Sequence, residues 1–313
     1  MGHIKNLSGV FPPVATPFKN EQIALEKLSE NILKYNATDL KGYMILGSNG
    51  EFRSVNDNEA LQIVDVVARH KKSDKILIAG AARESTYATI EFIEKLSDRG
   101  VDYVAILPPH YFVSKMTDEV LIRHYSLVAD RSKLPITVYN APKFSAGLLI
   151  SSQVIARLAE HPNIVGLKDT SKEDIAKYVN AVPQGAEFAV LAGSINKFYE
   201  GLAKGAVGGV LSLADYLPQK CCELQQAFLA GDREKAKQMD EYLRALSSRA
   251  AGKFGVAGLK AAMDLLGFYG GPPRLPLAAI TDSDKRQLEA VLQKEGLLGK
   301  EFSPMLHKQH GKE

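Results

Sequence analysis

The sequence has few cysteines, no long apolar run and no excess of charge of one sign, and each absence excludes a class of protein. Cys221 and Cys222 are the two cysteines, and adjacent residues close no useful loop, so we expect reduced core thiols rather than a disulfide framework. No apolar run approaches the ~18 residues that a membrane-spanning helix needs. The 39 basic and 36 acidic residues are spread along the chain, without a basic stripe that would follow a phosphate backbone. Neither a membrane nor nucleic acid is an expected partner.

The N-terminal segment also lacks two targeting patterns. A secretory signal has charged residues followed by an apolar stretch, and that order is missing here. The first arginine is Arg53, so no arginine-rich transit peptide is visible. We therefore expect a cytoplasmic protein, with a mitochondrial location open if a transit peptide has been removed.

The alternation of short apolar runs with amphipathic helical segments is the main structural signal. It is typical of repeated βα units around a parallel sheet. The predicted strands lie near residues 10–15, 42–46, 76–80, 103–107, 135–139, 164–168, 188–192 and 207–211. The predicted helices lie near residues 24–38, 56–71, 85–100, 117–131, 151–161, 172–182 and 194–204, with another from about 215.

Eight strands at this spacing predict a (β/α)₈ TIM barrel with additional C-terminal helices, since such barrels typically have ~250 residues. The catalytic barrel is assigned to residues 1–231, a helical extension packed on it to 232–296, and a flexible tail to 297–313. A doubly wound open sheet is the structural alternative. Against it, the first strand is followed by Pro12 and Pro13 rather than by a glycine-rich phosphate turn.

Lys168 is the most informative residue, because it ends an apolar run that begins at Ile164 and is typical of a buried strand. An ammonium ion there loses contact with water, so its pKa is expected to fall from about 10.4 toward the range of the neutral, nucleophilic amine. Since side chains alternate along a strand, Asp169 faces the other way and need not neutralise the amine. A lone lysine just past a strand is more often a surface residue. The other strand ends decide against that interpretation here.

Active sites of such barrels lie at the carboxyl ends of the strands, where this chain has several polar residues. The second strand ends in Gly-Ser-Asn-Gly-Glu at 47–51, whose backbone N–H groups and hydroxyl suit a carboxylate. The fifth ends at Tyr139; a buried tyrosine is usually a core residue, but beside an amine it is a candidate proton carrier. The seventh ends at Gly193, and the eighth contains Gly208 and Gly209. Phosphate contact and close backbone packing are equally open explanations for those two glycines.

Taken together, these segments resemble the dihydrodipicolinate synthase and N-acetylneuraminate lyase family of Schiff-base aldolases, from about Leu7 to Leu298. The motifs are PVATPF at 13–18, GSNGE at 47–51, PHY at 109–111, YNAP at 139–142, GLKD at 166–169 and LAGS at 191–194. Within the family the chain looks most like 4-hydroxy-2-oxoglutarate aldolase. Beyond GSNGE, that likeness is carried by KDT at 168–170, GAVGGV at 205–210, and Phe254-Gly255 through Gly270-Gly271-Pro272.

The resemblance implies a class I aldolase or lyase that cleaves a 4-hydroxy-2-oxo acid to pyruvate and an aldehyde. For 4-hydroxy-2-oxoglutarate the aldehyde is glyoxylate. It implies that Lys168 forms the Schiff base and that Tyr139 is the general acid/base. Ser48 would relay protons toward Tyr111, which in the family enters from a neighbouring subunit.

The resemblance also implies how ligands and subunits are held. Ser48 and Asn49 would bind the substrate carboxylate, with Thr170 and Gly193 lining the pocket. The covalent lysine takes the place of a cofactor, and a small 2-oxo acid is the expected ligand. Because Tyr111 completes the relay only from another protomer, we expect a homotetramer that is a dimer of tight dimers.

One departure from the family pattern bears on the substrate. Dihydrodipicolinate synthases carry an arginine shortly after the Tyr139 motif to hold a second carboxylate, whereas this chain reads KFSAG at 143–147. Aspartate semialdehyde is thereby disfavoured, unless Lys143 partly replaces the arginine. The other family activities stay open: 2-keto-3-deoxy sugar acid aldolase or dehydratase, N-acetylneuraminate lyase, pyrroline-4-hydroxy-2-carboxylate deaminase, and dihydrodipicolinate synthase itself.

Three rival classes remain. A metal-dependent aldolase would use zinc, but the seven histidines are scattered and their close pair, His307 and His310, lies in the tail, so no metal site is predicted. A pyridoxal phosphate enzyme also uses a lysine on a barrel, and Gly208 and Gly209 could hold its phosphate. A non-catalytic barrel that merely binds a 2-oxo acid has no need of a covalent amine beside a proton relay. A lyase is therefore predicted.

Overall fold

The computed structural model describes residues 6–299, whose eight parallel strands form a barrel. The strands are β1 Val10–Phe11, β2 Gly42–Ile45, β3 Ile76–Gly80, β4 Tyr103–Ile106, β5 Ile136–Asn140, β6 Ile164–Asp169, β7 Ala189–Ala192 and β8 Gly208–Val210. Consecutive strands pair from β2 to β8, and β8 pairs with β1. The ring closes where Pro13 bridges Met44 and the Lys41 N–H donates to the Val10 carbonyl over 2.9 Å. The predicted TIM barrel is confirmed, and the doubly wound sheet is wrong.

In the described part of the chain, residues 6–299, a helix follows each barrel strand, and three further helices follow the one after β8. The barrel helices are α1 Leu25–Tyr35, α2 Asp57–His70, α3 Thr86–Leu96, α4 Asp118–Arg131, α5 Ser152–Leu158, α6 Ala176–Val179, α7 Phe198–Ala203 and α8 Pro218–Leu229. The C-terminal helices, which belong to the proposed extension, are α9 Arg233–Arg249, α10 Gly255–Leu265 and α11 Asp282–Lys294. A short hairpin of Phe18–Lys19 and Gln22–Ile23 precedes α1. Residues 300–313, most of the predicted tail, lie outside the described residues.

Helix α2 shows how local sequence determines these elements. The Asn56 side chain accepts from the Glu59 N–H over 3.0 Å, and the Glu59 carboxylate accepts from the Asn56 N–H over 2.9 Å, so two otherwise unpaired donors at the helix start are satisfied. One face then packs inward at helical spacing. Its buried residues are Ala60, Ile63, Val64 and Val67. The predicted boundaries, 56–71, lie within one residue of those observed.

Several elements are shorter than predicted, and two of them, β1 and α6, keep the smallest share of their predicted length, each for a local reason. Strand β1, expected over 10–15, ends at Phe11, because Pro12 and Pro13 have no N–H to donate to a neighbouring strand. The helix expected over 172–182 shrinks to α6. Before it, the Ser171 and Asp174 side chains accept backbone N–H groups two residues ahead, which replaces helical hydrogen bonds with turns.

The two cysteines lie side by side in α8, as predicted. Both are buried free thiols; burial raises the pKa of Cys222 to about 12 and raises the pKa of Cys221 well above its usual value. They are therefore protonated core side chains at neutral pH. Within residues 6–299, no helix combines the length and apolar character that crossing a bilayer requires.

Candidate active site

The amine of Lys168 lies at the carboxyl end of the barrel in apolar surroundings. The residue is 4% exposed. Its Nζ is 4.0 Å from the ring centroid of Tyr139 and 3.5 Å from the Met44 sulfur. Tyr139 pairs directly with Lys168 across β5 and β6, so the register of two neighbouring strands places phenol and amine together.

Asp169 faces away from the amine, as the strand alternation predicted. Its fully buried carboxylate forms an ion pair with Lys197 and accepts from the Asn140 side chain over 2.9 Å. The Ser171 N–H donates to the same carboxylate over 3.1 Å. These partners hold the end of β6 from outside the barrel and leave Lys168 free for the cavity.

The loop after β2 carries Ser48 and Asn49 to the same place. The Ser48 hydroxyl lies 3.4 Å from the Tyr139 hydroxyl, within reach of proton exchange. The Asn49 amide donates to the Ser212 hydroxyl over 2.8 Å. A hydrogen bond from the Thr16 hydroxyl to the Gly50 carbonyl, 2.7 Å long, holds the far end of the loop.

Six of the seven predicted site residues line one cavity of about 300 Å³. They are Ser48, Asn49, Tyr139, Lys168, Thr170 and Gly193. The seventh, Tyr111, does not line it within this single chain: its side chain is 78% exposed and packs edge-on against Phe112, with ring centroids 4.9 Å apart.

Glycine is required at position 193. A Cβ there would lie 2.2 Å from the Thr170 methyl carbon and 2.6 Å from the Asp169 carbonyl oxygen. Close packing also accounts for the glycines of β8, since a Cβ on Gly208 would lie 2.1 Å from the Gly9 carbonyl oxygen. Close backbone packing is therefore observed at Gly208, whereas a Cβ on Gly209 would meet the side chains of Leu211 and Phe198.

The rest of the cavity wall was missed by the sequence analysis, apart from Lys143. Residues near the junction of α9 and α10 contribute Ser247, Ala251, Gly252, Gly255, Val256 and Leu259, and the turn after β5 contributes Lys143 and Phe144. The family likeness had included Phe254-Gly255, without assigning either residue to the site. Among the described residues that line the cavity, two are cationic and none is acidic, so the cavity suits an anionic ligand.

Asp215 is a second residue that the sequence analysis missed. Its side chain is fully buried; one carboxyl oxygen accepts from the Ala15 N–H over 3.2 Å, and the other has no partner among the described residues. Burial raises the pKa of Asp215 to about 8, although the Ala15 N–H, Asn49 and the charge of Lys168 oppose the shift. Much of this carboxyl is therefore neutral at pH 7.

The raised pKa of Asp215 predicts a pH-dependent stability. An unfolded aspartate ionises near pH 4, whereas folded Asp215 ionises near pH 8, so in between the folded chain holds a proton that the unfolded chain has lost. The stability from the neutral carboxyl is fully present below about pH 4 and is lost as the pH rises through 8. Asp215→Asn cannot ionise and should escape this loss.

Denaturant unfolding at pH 5, 6.5 and 8 measures this effect. Relative to Asp215→Asn, the wild-type free energy of unfolding should fall by up to roughly 1 kcal/mol per pH unit. The variant keeps an oxygen that accepts from the Ala15 N–H, which limits other changes. A difference between the two proteins that stays constant with pH would contradict the assignment.

Acidic, cysteine and histidine side chains are dispersed. Within residues 6–299, no group of three or more of them is placed to hold a metal ion. His307 and His310, the close pair in the sequence, lie outside the described residues.

Comparison with known proteins gives a consistent result. The profile of the Dihydrodipicolinate synthetase family matches residues 6–295. An uncharacterized DapA-like lyase of Halobacterium salinarum is 34% identical over 295 residues, which cover 93% of this chain and 95% of that protein. A 4-hydroxy-tetrahydrodipicolinate synthase of Methanothrix thermoacetophila is 31% identical over 289 residues, covering 91% and 96%. The crystal structure of dihydrodipicolinate synthase from Thermotoga maritima has a TM-score of 0.88 at 28% identity, covering 93% and 99%.

These matches extend over nearly the whole described chain, and the fold, the buried lysine and the anion-suited cavity agree with them. Enzymes of this family are pyruvate-dependent lyases that bind pyruvate as a lysine Schiff base and use no external cofactor. The chain therefore belongs to the dihydrodipicolinate synthetase family and is a carbon–carbon lyase of the Schiff-base type.

Proposed function

We propose that the protein cleaves 4-hydroxy-2-oxoglutarate to pyruvate and glyoxylate, with Lys168 as the Schiff-base lysine. One observation carries the proposal: the buried Lys168 amine lies against the Tyr139 ring, 4.0 Å from its centroid, in a cavity without acidic lining residues among those described. An amine in that position faces a bound oxo acid rather than a carboxylate partner.

The first step is formation of the imine. The neutral amine of Lys168 adds to the C2 ketone, the carbinolamine loses water, and a protonated imine remains. The hydroxyl of Ser48, the amide of Asn49 and backbone N–H groups of their loop hold the C1 carboxylate. This binding places C2 over the amine.

The second step is carbon–carbon cleavage. The iminium withdraws the electrons of the C3–C4 bond while Tyr139 accepts the proton of the C4 hydroxyl, so the aldehyde leaves and an enamine remains. Protonation at C3 and attack of water at C2 then release pyruvate and restore the amine. The 3.4 Å contact with Ser48 gives Tyr139 a partner in the cavity wall with which it can exchange this proton.

The substrate has a second carboxylate, on the part that leaves as glyoxylate, and this carboxylate suggests a role for Lys143. Lys143 lines the cavity beside Phe144, and it is the lining cation other than Lys168. We assign it to the distal carboxylate of the substrate. Condensation of pyruvate with aspartate semialdehyde is the second candidate reaction, because several relatives carry the name of that synthase and its aldehyde substrate also has a distal carboxylate.

A panel of substrates tests the function. Pyruvate release, coupled to lactate dehydrogenase, is measured with 4-hydroxy-2-oxoglutarate, a 2-keto-3-deoxy sugar acid and N-acetylneuraminate, and pyruvate consumption is measured with aspartate semialdehyde. We expect the highest kcat/KM with 4-hydroxy-2-oxoglutarate, and full activity in excess chelator. A higher value with any other substrate overturns the substrate assignment; silence across the panel favours a barrel that only binds 2-oxo acids.

Replacing Lys143 tests the distal-carboxylate assignment. Lys143→Gln removes one charge-assisted contact worth about 1.5 kcal/mol, so KM for 4-hydroxy-2-oxoglutarate should rise about 10-fold. Because pyruvate lacks the distal carboxylate, the pyruvate concentration for half-maximal borohydride trapping should be unchanged. Lys143→Arg is the matched control and should retain most of the affinity. An equal loss for pyruvate would refute the assignment.

We also propose that the protein is a homotetramer in which a second copy covers the surface around Tyr111. Tyr111 and Phe112, whose rings pack against each other, are 78% and 68% exposed. Tyr87 on α3 and Val120 and Leu127 on α4 are exposed as well, and exposed apolar side chains of this size favour a surface that a partner covers. Sedimentation velocity should show a tetramer. A fully active monomer would contradict both the assembly and the relay through Tyr111.

A further inference from the structure

The loop that carries Ser48 and Asn49 is bracketed by two residues in an unfavourable backbone conformation. Leu46 and Glu51 have φ angles of 55° and 52°, in the left-handed region that residues with a Cβ avoid. Such conformations persist only where surrounding contacts determine them strongly, and they are concentrated at functional sites. The contacts of Glu51 therefore bear on the loop.

Glu51 is held by a segment more than 200 residues further along the chain. One carboxylate oxygen accepts from the Lys260 amine over 2.6 Å, and both side chains are fully buried. The other oxygen accepts from the Arg274 N–H over 2.9 Å. Lys260 also donates to the Pro272 carbonyl over 2.9 Å and lies over the Phe18 ring. The ion pair is thus satisfied on both sides.

Helix α10 connects this ion pair to the cavity. It carries Lys260, and its first turns supply Gly255, Val256 and Leu259 to the cavity wall. On the other partner, the Glu51 N–H donates to the Ser48 carbonyl over 3.1 Å, which closes the turn that contains Asn49. A displacement of either partner is therefore transmitted directly to the loop.

A buried ion pair is poor evidence of a contribution to stability. Removing two charges from water is costly, and neutral pairs of similar volume often fold as well or better. Burial lowers the pKa of Lys260, and Glu51 opposes that shift, which is consistent with a charged pair retained against its desolvation. The geometry that the ion pair imposes on the strained loop is therefore a better explanation for its presence than a contribution to stability.

We propose that Glu51 and Lys260 are positioning residues, which hold the Ser48-Asn49 loop in the conformation that binds the substrate carboxylate. They act through the loop and do not touch the substrate. The inference rests on the proposed function for the role of the loop, but the restraint on the loop is a property of the folded chain and is measured without catalysis.

The double variant Glu51→Gln/Lys260→Met is the decisive test. Each single variant leaves a buried partner unpaired and could fail to fold; the double variant is neutral, and its glutamine oxygen still accepts from the Arg274 N–H. We expect the pyruvate concentration for half-maximal trapping at Lys168 to rise at least 10-fold. The matched control, Glu30→Gln/Lys27→Met, removes an exposed ion pair and should leave this concentration unchanged.

Hydrogen exchange of residues 47–51 supplies the readout that does not depend on the reaction. In the double variant their amides should exchange at least 10-fold faster, while strands β3 to β6 keep their protection. The positioning role is overturned if the double variant exchanges these amides as slowly as the wild-type protein does. It is also overturned if pyruvate traps both proteins with the same half-maximal concentration. Failure of the wild-type protein to be trapped by pyruvate would instead sink the proposed function, and the exchange result would still decide about the ion pair.

Discussion

Replacement of Lys168 by arginine is expected to lower kcat for 4-hydroxy-2-oxo acid cleavage by at least about 10⁴-fold. Arginine is a basic side chain of similar size, but its guanidinium does not deprotonate in proteins and cannot form the imine. The apolar contacts with Met44 and the Tyr139 ring are open to either side chain. The loss should therefore appear in kcat rather than in folding.

Borohydride trapping locates the covalent bond. With pyruvate present, mass spectrometry of the wild-type protein should show a three-carbon unit on Lys168, and Lys168→Arg should show none. Lys75 and Lys260 are also buried and serve as internal controls that should stay unmodified. Turnover that survives the arginine substitution, or a label on another lysine, would refute the mechanism.

Tyr139→Phe is expected to lower kcat by about 10²- to 10⁴-fold, the range that general acid–base catalysis contributes. The substitution keeps the ring that packs against the Lys168 amine and removes only the hydroxyl, which lies 3.4 Å from that of Ser48. Pyruvate should therefore still be trapped at Lys168, but more slowly. Single-turnover kinetics separate imine formation from carbon–carbon cleavage.

Tyr125→Phe provides the matched control for this experiment. Tyr125 is a buried tyrosine of α4 whose hydroxyl donates to the Ile106 carbonyl over 3.0 Å, and it is not among the cavity-lining residues. Its loss should cost about 1 kcal/mol of stability and leave kcat unchanged. If both phenylalanine variants had the same activity, Tyr139 would not be the proton carrier.

Local patterns in the sequence were sufficient to predict the barrel fold and the residues at the centre of its candidate site. Strand alternation predicted that Lys168 and Asp169 face opposite ways, and the ion pair of Asp169 with Lys197 lies outside the barrel as that requires. Because active sites of such barrels lie at the carboxyl ends of the strands, the sequence also predicted that Ser48, Tyr139 and Gly193 lie close together. These inferences worked because hydrophobic periodicity acts between residues close in sequence.

Local chemistry also explains where the boundaries were wrong. Pro12 and Pro13 shorten β1, and the side chains of Ser171 and Asp174 replace the first turns of a longer helix. Both signals were present in the sequence. Hydrophobic periodicity, however, takes no account of the N–H groups that prolines lack or of turns that side chains stabilise.

The sequence by itself determined that eight βα units carry a buried lysine and a tyrosine on neighbouring strands, because each unit follows from periodicity and strand order. Only the tertiary structure placed Val256 in the cavity wall, buried the Asp215 carboxyl against Ala15, and joined Glu51 to Lys260. These arrangements join segments about 200 residues apart in the chain. Their energies depend on desolvation and packing in three dimensions, which no local pattern of residues records.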